Sequence, residues 1–157
     1  MTDARFEDGD ERPLRMIAAD AADVPVISAL LQDAVLPITE MRHDRKARRF
    51  VLLVNRFRWE DRDAAEAGRR PYERVRSLLV VEDVLRLRSS GIDRSDRDTV
   101  LSILTLDFAP GVDGTGTLTL TLAGDGAIAM DAETVNLRLE DVTRPYIAPS
   151  RKVPDHG

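Results

Sequence analysis

The stretch from Thr117 to Leu122 constrains this chain more than any other. Leu118, Leu120 and Leu122 alternate without a slip with Thr117, Thr119 and Thr121. Successive side chains of a strand point to opposite faces, so the pattern predicts one strand with an apolar side and a wet side. Ala123-Gly124-Asp125-Gly126 follows and supplies the positive-φ positions of a tight hairpin. Ile128 and Met130 resume the alternation. From Asp131 the apolar spacing widens to Ala132, Val135, Leu139 and Val142, which predicts a helix packed by one stripe. The segment argues an antiparallel sheet closed by a C-terminal helix. It argues no chemistry.

Upstream, Leu14, Met16 and Ala18 alternate with Arg15 and Ile17, predicting a first strand over about 13–19. Asp20 and Asp23 are N-cap candidates for a helix that carries Val24, Ile27, Leu31 and Ala34 on one face. Pro25 suits its first turn, where a missing N–H costs little. That helix should end near Val35. A strand is expected from Ile38 to His43 and a charged turn from Asp44 to Arg48. The apolar run Phe50–Val54 predicts a strand covered on both faces. Continued in register, it puts Arg56 and Arg58 on the side of Phe50, and Phe57 and Trp59 on the other. Residues 60–71 read as charged and flexible. Tyr72–Ser90 reads as one long strand bent or bulged near Asp83. Residues 91–98 form a polar loop, Val100–Phe108 a central strand, and 110–116 a Gly-rich connection.

About seven strands with a helix after the first and a capping helix at the end predict an α+β fold. The order resembles a pleckstrin-homology-like or phosphotyrosine-binding-like half-barrel. A helix-on-sheet sandwich is the alternative. One globular domain is expected over 13–147, between an acidic disordered tail (1–12) and a flexible Pro-containing tail (148–157).

Composition narrows the chemistry by removal. The 157 residues contain no cysteine, which excludes disulfides, thiolate zinc sites and a cysteine nucleophile. The first residues lack the apolar core of a signal peptide, and no apolar run approaches the ~20 residues of a membrane span. The cytoplasm is the expected location. Net charge is −5 and unevenly placed, because residues 40–76 carry 12 bases against 7 acids. Arginine supplies 21 of the 23 bases. Guanidinium binds carboxylate and phosphate with a planar fork, whereas the acidic whole repels a polyanion.

Four residue runs bear a resemblance. Leu31-Gln32-Asp33-Ala34-Val35, Arg49-Phe50 with Asn55-Arg56-Phe57-Arg58-Trp59, Arg88-Ser89-Ser90-Gly91-Ile92 and Gly124-Asp125-Gly126-Ala127-Ile128 occur in that order. In this the chain, over about 13–147, resembles a bacterial family catalogued only as a domain of unknown function. The resemblance implies a bacterial cytosolic protein and brings no activity, cofactor or catalytic residue. The chain departs from the family at Asp125, where an all-glycine turn is expected.

Each candidate for chemistry meets a plainer reading. His43 sits beside a charged turn, and a catalytic histidine needs a partner to orient its ring. Asp93, Asp96 and Asp98 cluster in a loop, but their spacing fails the EF-hand pattern, and Arg94 and Arg97 offset their charge. Gly111, Gly114 and Gly116 precede a strand rather than the helix a phosphate loop requires. No metal and no cofactor is implied. The best binding candidates are Arg42, Arg56, Arg58, Trp59, Arg74 and Arg76, which join bases to an aromatic. Asp33, His43 and Arg88 are an alternative site, to be mutated first together with Arg42 and Arg56. Asp33 near a helix end opposes the dipole, so a compensating hydrogen bond or arginine is expected.

These residues lean away from an enzyme and toward a small interaction module with an Arg-rich surface over 42–76. Its partner would be an acidic protein surface or a small anion. An anion-binding protein or enzyme with an Arg/Asp site is one alternative, and RNA binding through the basic middle, disfavoured by the net charge, is another. A membrane partner is not expected. Self-association stays open.

Overall fold

The computed structural model describes residues 12–147. The expectations for the two tails therefore lie outside the described residues, Arg12 apart. In chain order the first strands are β1 (Arg15–Ala18), β2 (Val35–Pro37), β3 (Met41–Asp44), β4 (Arg49–Phe57) and β5 (Glu73–Val81). Then come β6 (Val84–Ser90), β7 (Val100–Pro110), β8 (Gly116–Leu122), β9 (Gly126–Ala132), β10 (Leu137–Asp141) and β11 (Tyr146–Ile147). Two short helices, α1 (Val24–Leu31) and α2 (Arg62–Ala67), complete the α+β fold, with 3₁₀ turns at Ala21–Asp23, Ile38–Glu40 and Trp59–Asp61.

Eleven strands form one open sheet in the order β1-β10-β5-β4-β2-β7-β8-β9-β6, with β3 added to β4 and β11 to β5. Every ladder is antiparallel. Short β2 bridges two blocks, β1-β10-β5-β4 and β7-β8-β9-β6, whose buried residues join in one core. The blocks also meet at a corner. There the chain passes from β5 to β6 through Asp83 (φ 58°) and from β9 to β10 through residues 133–136. The Glu82 N–H donates to Asn136 C=O at 2.8 Å and the Glu133 N–H to Asp83 C=O at 3.0 Å, tying the crossings together.

The leucine–threonine alternation does what its pattern predicts. Leu118, Leu120 and Leu122 are buried on β8, each contributing ~1.5–3 kcal/mol of transfer free energy. Gly124 (φ 81°) and Asp125 (φ 68°) turn the chain into β9. Asp125 takes the left-handed conformation that asparagine and aspartate tolerate best among residues with a Cβ. β1 has the expected parity, with Ala18 buried and Ile17 exposed. α1 buries Val24, Ile27 and Leu31, with Pro25 in its first turn and the Asp20 carboxylate accepting the Ala22 N–H ahead of it. The helix stops at Leu31, earlier than predicted, because Asp33 turns left-handed (φ 64°) and Val35 joins a sheet.

The C-terminal capping helix is not there. Asp131 and Ala132 finish β9, and residues 137–141 form β10 between β1 and β5. Leu137 and Leu139 are buried at strand spacing, whereas Val142 is 48% exposed. A helical stripe through 132, 135, 139 and 142 and a strand through 137 and 139 share members, and pairing on both edges decided between them. The pleckstrin-homology-like order loses the element from which it was drawn, and the strand count is eleven, not about seven. Tyr72–Ser90 bends at Asp83 as expected, but its halves are separate strands with different partners. The charged segment after Trp59 is a 3₁₀ turn followed by α2.

Candidate functional site

Register shows which side chains of β3 and β6 share one inner surface. On β3, Met41 lies opposite Leu52 and His43 opposite Phe50. Leu52 and Phe50 are buried, so Met41 and His43 face inward. On β6, Leu87 lies opposite Met130 and Ser89 opposite Ile128, both buried, so these two also face inward. β3 pairs only β4, and β6 pairs only β9. The blocks thus part between β3 and β6, and a cavity of about 390 Å³ opens there.

Its floor is apolar: Ile38, Met41, Phe50, Leu87, Ile92 and Ile128. Its rim is polar and cationic: Thr39, His43, Arg45, Ser89, Arg94 and Arg97. The Ile38 N–H donates to Thr99 C=O at 2.9 Å and anchors the β2–β3 connection to the base of the 91–98 loop. That contact brings the two loop arginines beside β3. The His43 ring meets Phe50 edge-on, with centroids 6.3 Å apart.

No carboxylate lines this cavity. The acids nearest in sequence bond their own turns instead: Asp44 accepts the Ala47 N–H, Asp93 both the N–H and hydroxyl of Ser95, and Asp96 the Asp98 N–H. The Ser95 hydroxyl and amide hold the Asp93 carboxyl below its ordinary pKa. Among the described residues, Arg45, Arg94 and Arg97 form no ion pair. A cavity of this size, with an apolar floor and a few converging polar groups, has the form of a small-molecule site.

The arginines singled out by sequence sit elsewhere. Arg56 is fully buried on the continuation of the Phe50 side of β4. Its guanidinium grips Glu60 with two bonds, at 2.8 and 2.7 Å, and reaches Asp141 at 2.9 Å and the Ser77 hydroxyl at 3.0 Å. Asp141 also accepts the Ser77 hydroxyl and the Leu14 N–H. Burial works against the Arg56 cation, but Glu60 and Asp141 outweigh it and leave its pKa above the ordinary value. Arg58 is nearly as buried and donates to Glu73 at 2.7 Å, with Asp61 at 3.6 Å. Burial lifts the Glu73 pKa despite that partner. The Trp59 ring packs tilted against Phe57 (4.6 Å between centroids, 60° between planes), and its indole N–H donates to Gln32 C=O at 2.9 Å. Arg74 bonds Asn55 and the Asp33 carbonyl, and burial lowers its pKa. Arg88 pairs with Asp131 at 2.6 Å on the outer face.

Arg42 and Arg76 are exposed and lie on one outer face, because Arg42 opposes Val51 and Arg76 opposes Asn55, four residues along β4. Of the alternative trio, only His43 borders the cavity; Asp33 ends α1, and Arg88 points away. Arg45, Arg94, Arg97, Thr39 and Ser89 were missed as site residues. The loop arginines were set against aspartates adjacent in sequence, and only the turn hydrogen bonds show that those aspartates face elsewhere.

Among the described residues, no three histidines or carboxylates gather as a metal site, and no helix is long and apolar enough to cross a membrane. The chain matches, over residues 14–156, the family described as "Protein of unknown function (DUF2948)". No curated protein matches it, and no solved structure does.

Proposed function

The chain belongs to that family, which carries no assigned activity, and we propose its role from its own geometry: a binding module for a small amphipathic anion. The ligand is a carboxylate or phosphate joined to an aliphatic or aromatic body. Its body enters between the blocks onto Phe50, Leu87 and Ile128. Its head meets the forks of Arg45, Arg94 and Arg97, with the Thr39 and Ser89 hydroxyls as further partners. Guanidinium suits such a head because it offers paired donors in a plane.

The observation that carries this reading is three guanidinium groups around an apolar floor with no carboxylate among the lining residues. Elsewhere nine of the described arginines pair with a carboxylate of the same chain. The test is a thermal-shift screen with aromatic and aliphatic carboxylates and phosphates. Binding raises the melting temperature by mass action. Some member of the panel should stabilise the parent chain and not the Arg94→Ala/Arg97→Ala variant. A panel that shifts neither protein, or both equally, removes the cleft from the account.

A second reading keeps the interaction module of the basic segment. Arg42 and Arg76, exposed about 16 Å apart on one sheet face, would dock an acidic protein surface. Charge reversal of both that leaves every captured partner in place would end it.

A further inference from the structure

A groove beside β7 belongs to neither reading above. Its cavity of about 380 Å³ lies between Pro25, Ser28, Ala29 and Gln32 of the α1 segment and residues 104–108 of β7. Five consecutive strand residues can border one cavity only if it meets the strand's edge, because alternate side chains leave opposite faces. The ladders agree. β8 holds one edge of β7 from Ile103 to Pro110, while on the other edge β2 stops at Ser102. Ile103 still exchanges backbone hydrogen bonds with Asp33 and Ala34, both at 2.8 Å. Farther along, the Leu106 N–H donates to the Ser28 hydroxyl at 2.9 Å, which fixes the direction in which this edge looks. Residues two apart share an edge, so the N–H and C=O of Phe108 face the same way as those of Leu106. An edge of this kind is a template for another strand.

Charge selects the guest. Asp107 borders the groove, and Ala21 at its mouth lies between Asp20 and Asp23. Asp20 accepts the Ala22 N–H, Asp23 the Ala19 N–H and Asp107 the Thr105 hydroxyl. Among the described residues none of the three forms an ion pair, and no lysine or arginine lines the groove. We propose that it takes an extended segment of a partner protein that carries a lysine or arginine. The segment adds antiparallel to β7 at Phe108, beyond the donor that Ser28 already holds at Leu106, and sets its base against Asp107.

The experiment pans the chain against a phage library of random peptides. Enriched peptides should carry bases at alternate positions and shift the amide resonances of Leu106 and Phe108. They should lose at least about tenfold in affinity for Asp107→Lys, and for Ala29→Trp, which fills the groove from an exposed helix position. Methylating the peptide nitrogens that face β7 should abolish binding. The proposal is overturned by a library without binders, by binders that lack bases, or by binders indifferent to both substitutions or to N-methylation. Self-association of the chain that Ala29→Trp removes would put a second copy in the groove and overturn it too.

Discussion

Arg56 and Arg94 are the same side chain put to opposite ends. Arg56 is sealed at the junction of β4, β5 and β10, with Glu60 and Asp141 around it. Arg94 stands at the rim of the β3/β6 cleft beside two more guanidinium groups and a histidine, with no acid among the lining residues. The first arrangement is closed: every charge there answers another in the same chain, and removing one strands its partner in a medium that solvates ions poorly. The second is open: among the described residues its three arginines form no ion pair. A surplus of arginine is therefore no guide to a binding site until each guanidinium is checked for an internal carboxylate.

The comparison can be broken most forcefully at Arg56. Arg56→Met leaves Asp141 buried without its cation and should cost about 3–5 kcal/mol in urea unfolding. Adding Asp141→Leu should recover part of that loss, because an apolar replacement of both partners removes the stranded charge. A single variant as stable as the parent would show that the cluster is not closed. Next in size, Arg58→Met takes the bond from Glu73 and should cost about 1.5–3 kcal/mol, the range of a hydrogen bond to a charged group. Trp59→Phe forfeits the indole bond to Gln32 and should cost about 1 kcal/mol.

Acid sharpens the contrast. The Arg49 hydrogen bond holds the Glu82 carboxyl below its ordinary pKa of 4.5. A depressed folded-state pKa means stabilisation that is complete above the ordinary value and lost as pH falls through the folded one. Stability followed down from pH about 6 should thus decline less steeply at the acid end in Glu82→Gln than in the parent. Identical profiles would dissolve that ion pair. The smallest effect is expected in the open region. Arg94→Ala and Arg97→Ala should each change stability by no more than about 0.5 kcal/mol without ligand, as exposed substitutions do. A larger loss would mean that these arginines have an internal role.

Local pattern made part of this legible. Leu118, Leu120 and Leu122 alternate on one strand with a turn behind them, so β8, its hairpin and β9 could be read from adjacent residues. The segment after Asp131 could not. Its leucines satisfy two periods at once, and the choice belongs to β1 and β5, which lie far away in sequence. The candidate site was visible only in part. His43 stood among the candidates by residue type, whereas Arg45, Arg94 and Arg97 meet only because β3 and β6 part and Thr99, at the base of the 91–98 loop, accepts the Ile38 N–H. Arg56 and Arg58 share strand parity with the core residue Phe50, a sign of burial that their charge concealed.

The corner at Asp83 governs how this molecule comes apart. Two separate passages of the chain cross there, clasped by the amides of Glu82 and Glu133. Each block owns one arm of both crossings, so the two are expected to open together. Amide protons deep in β5 and in β9 should therefore exchange through one shared opening event, as a single foldon.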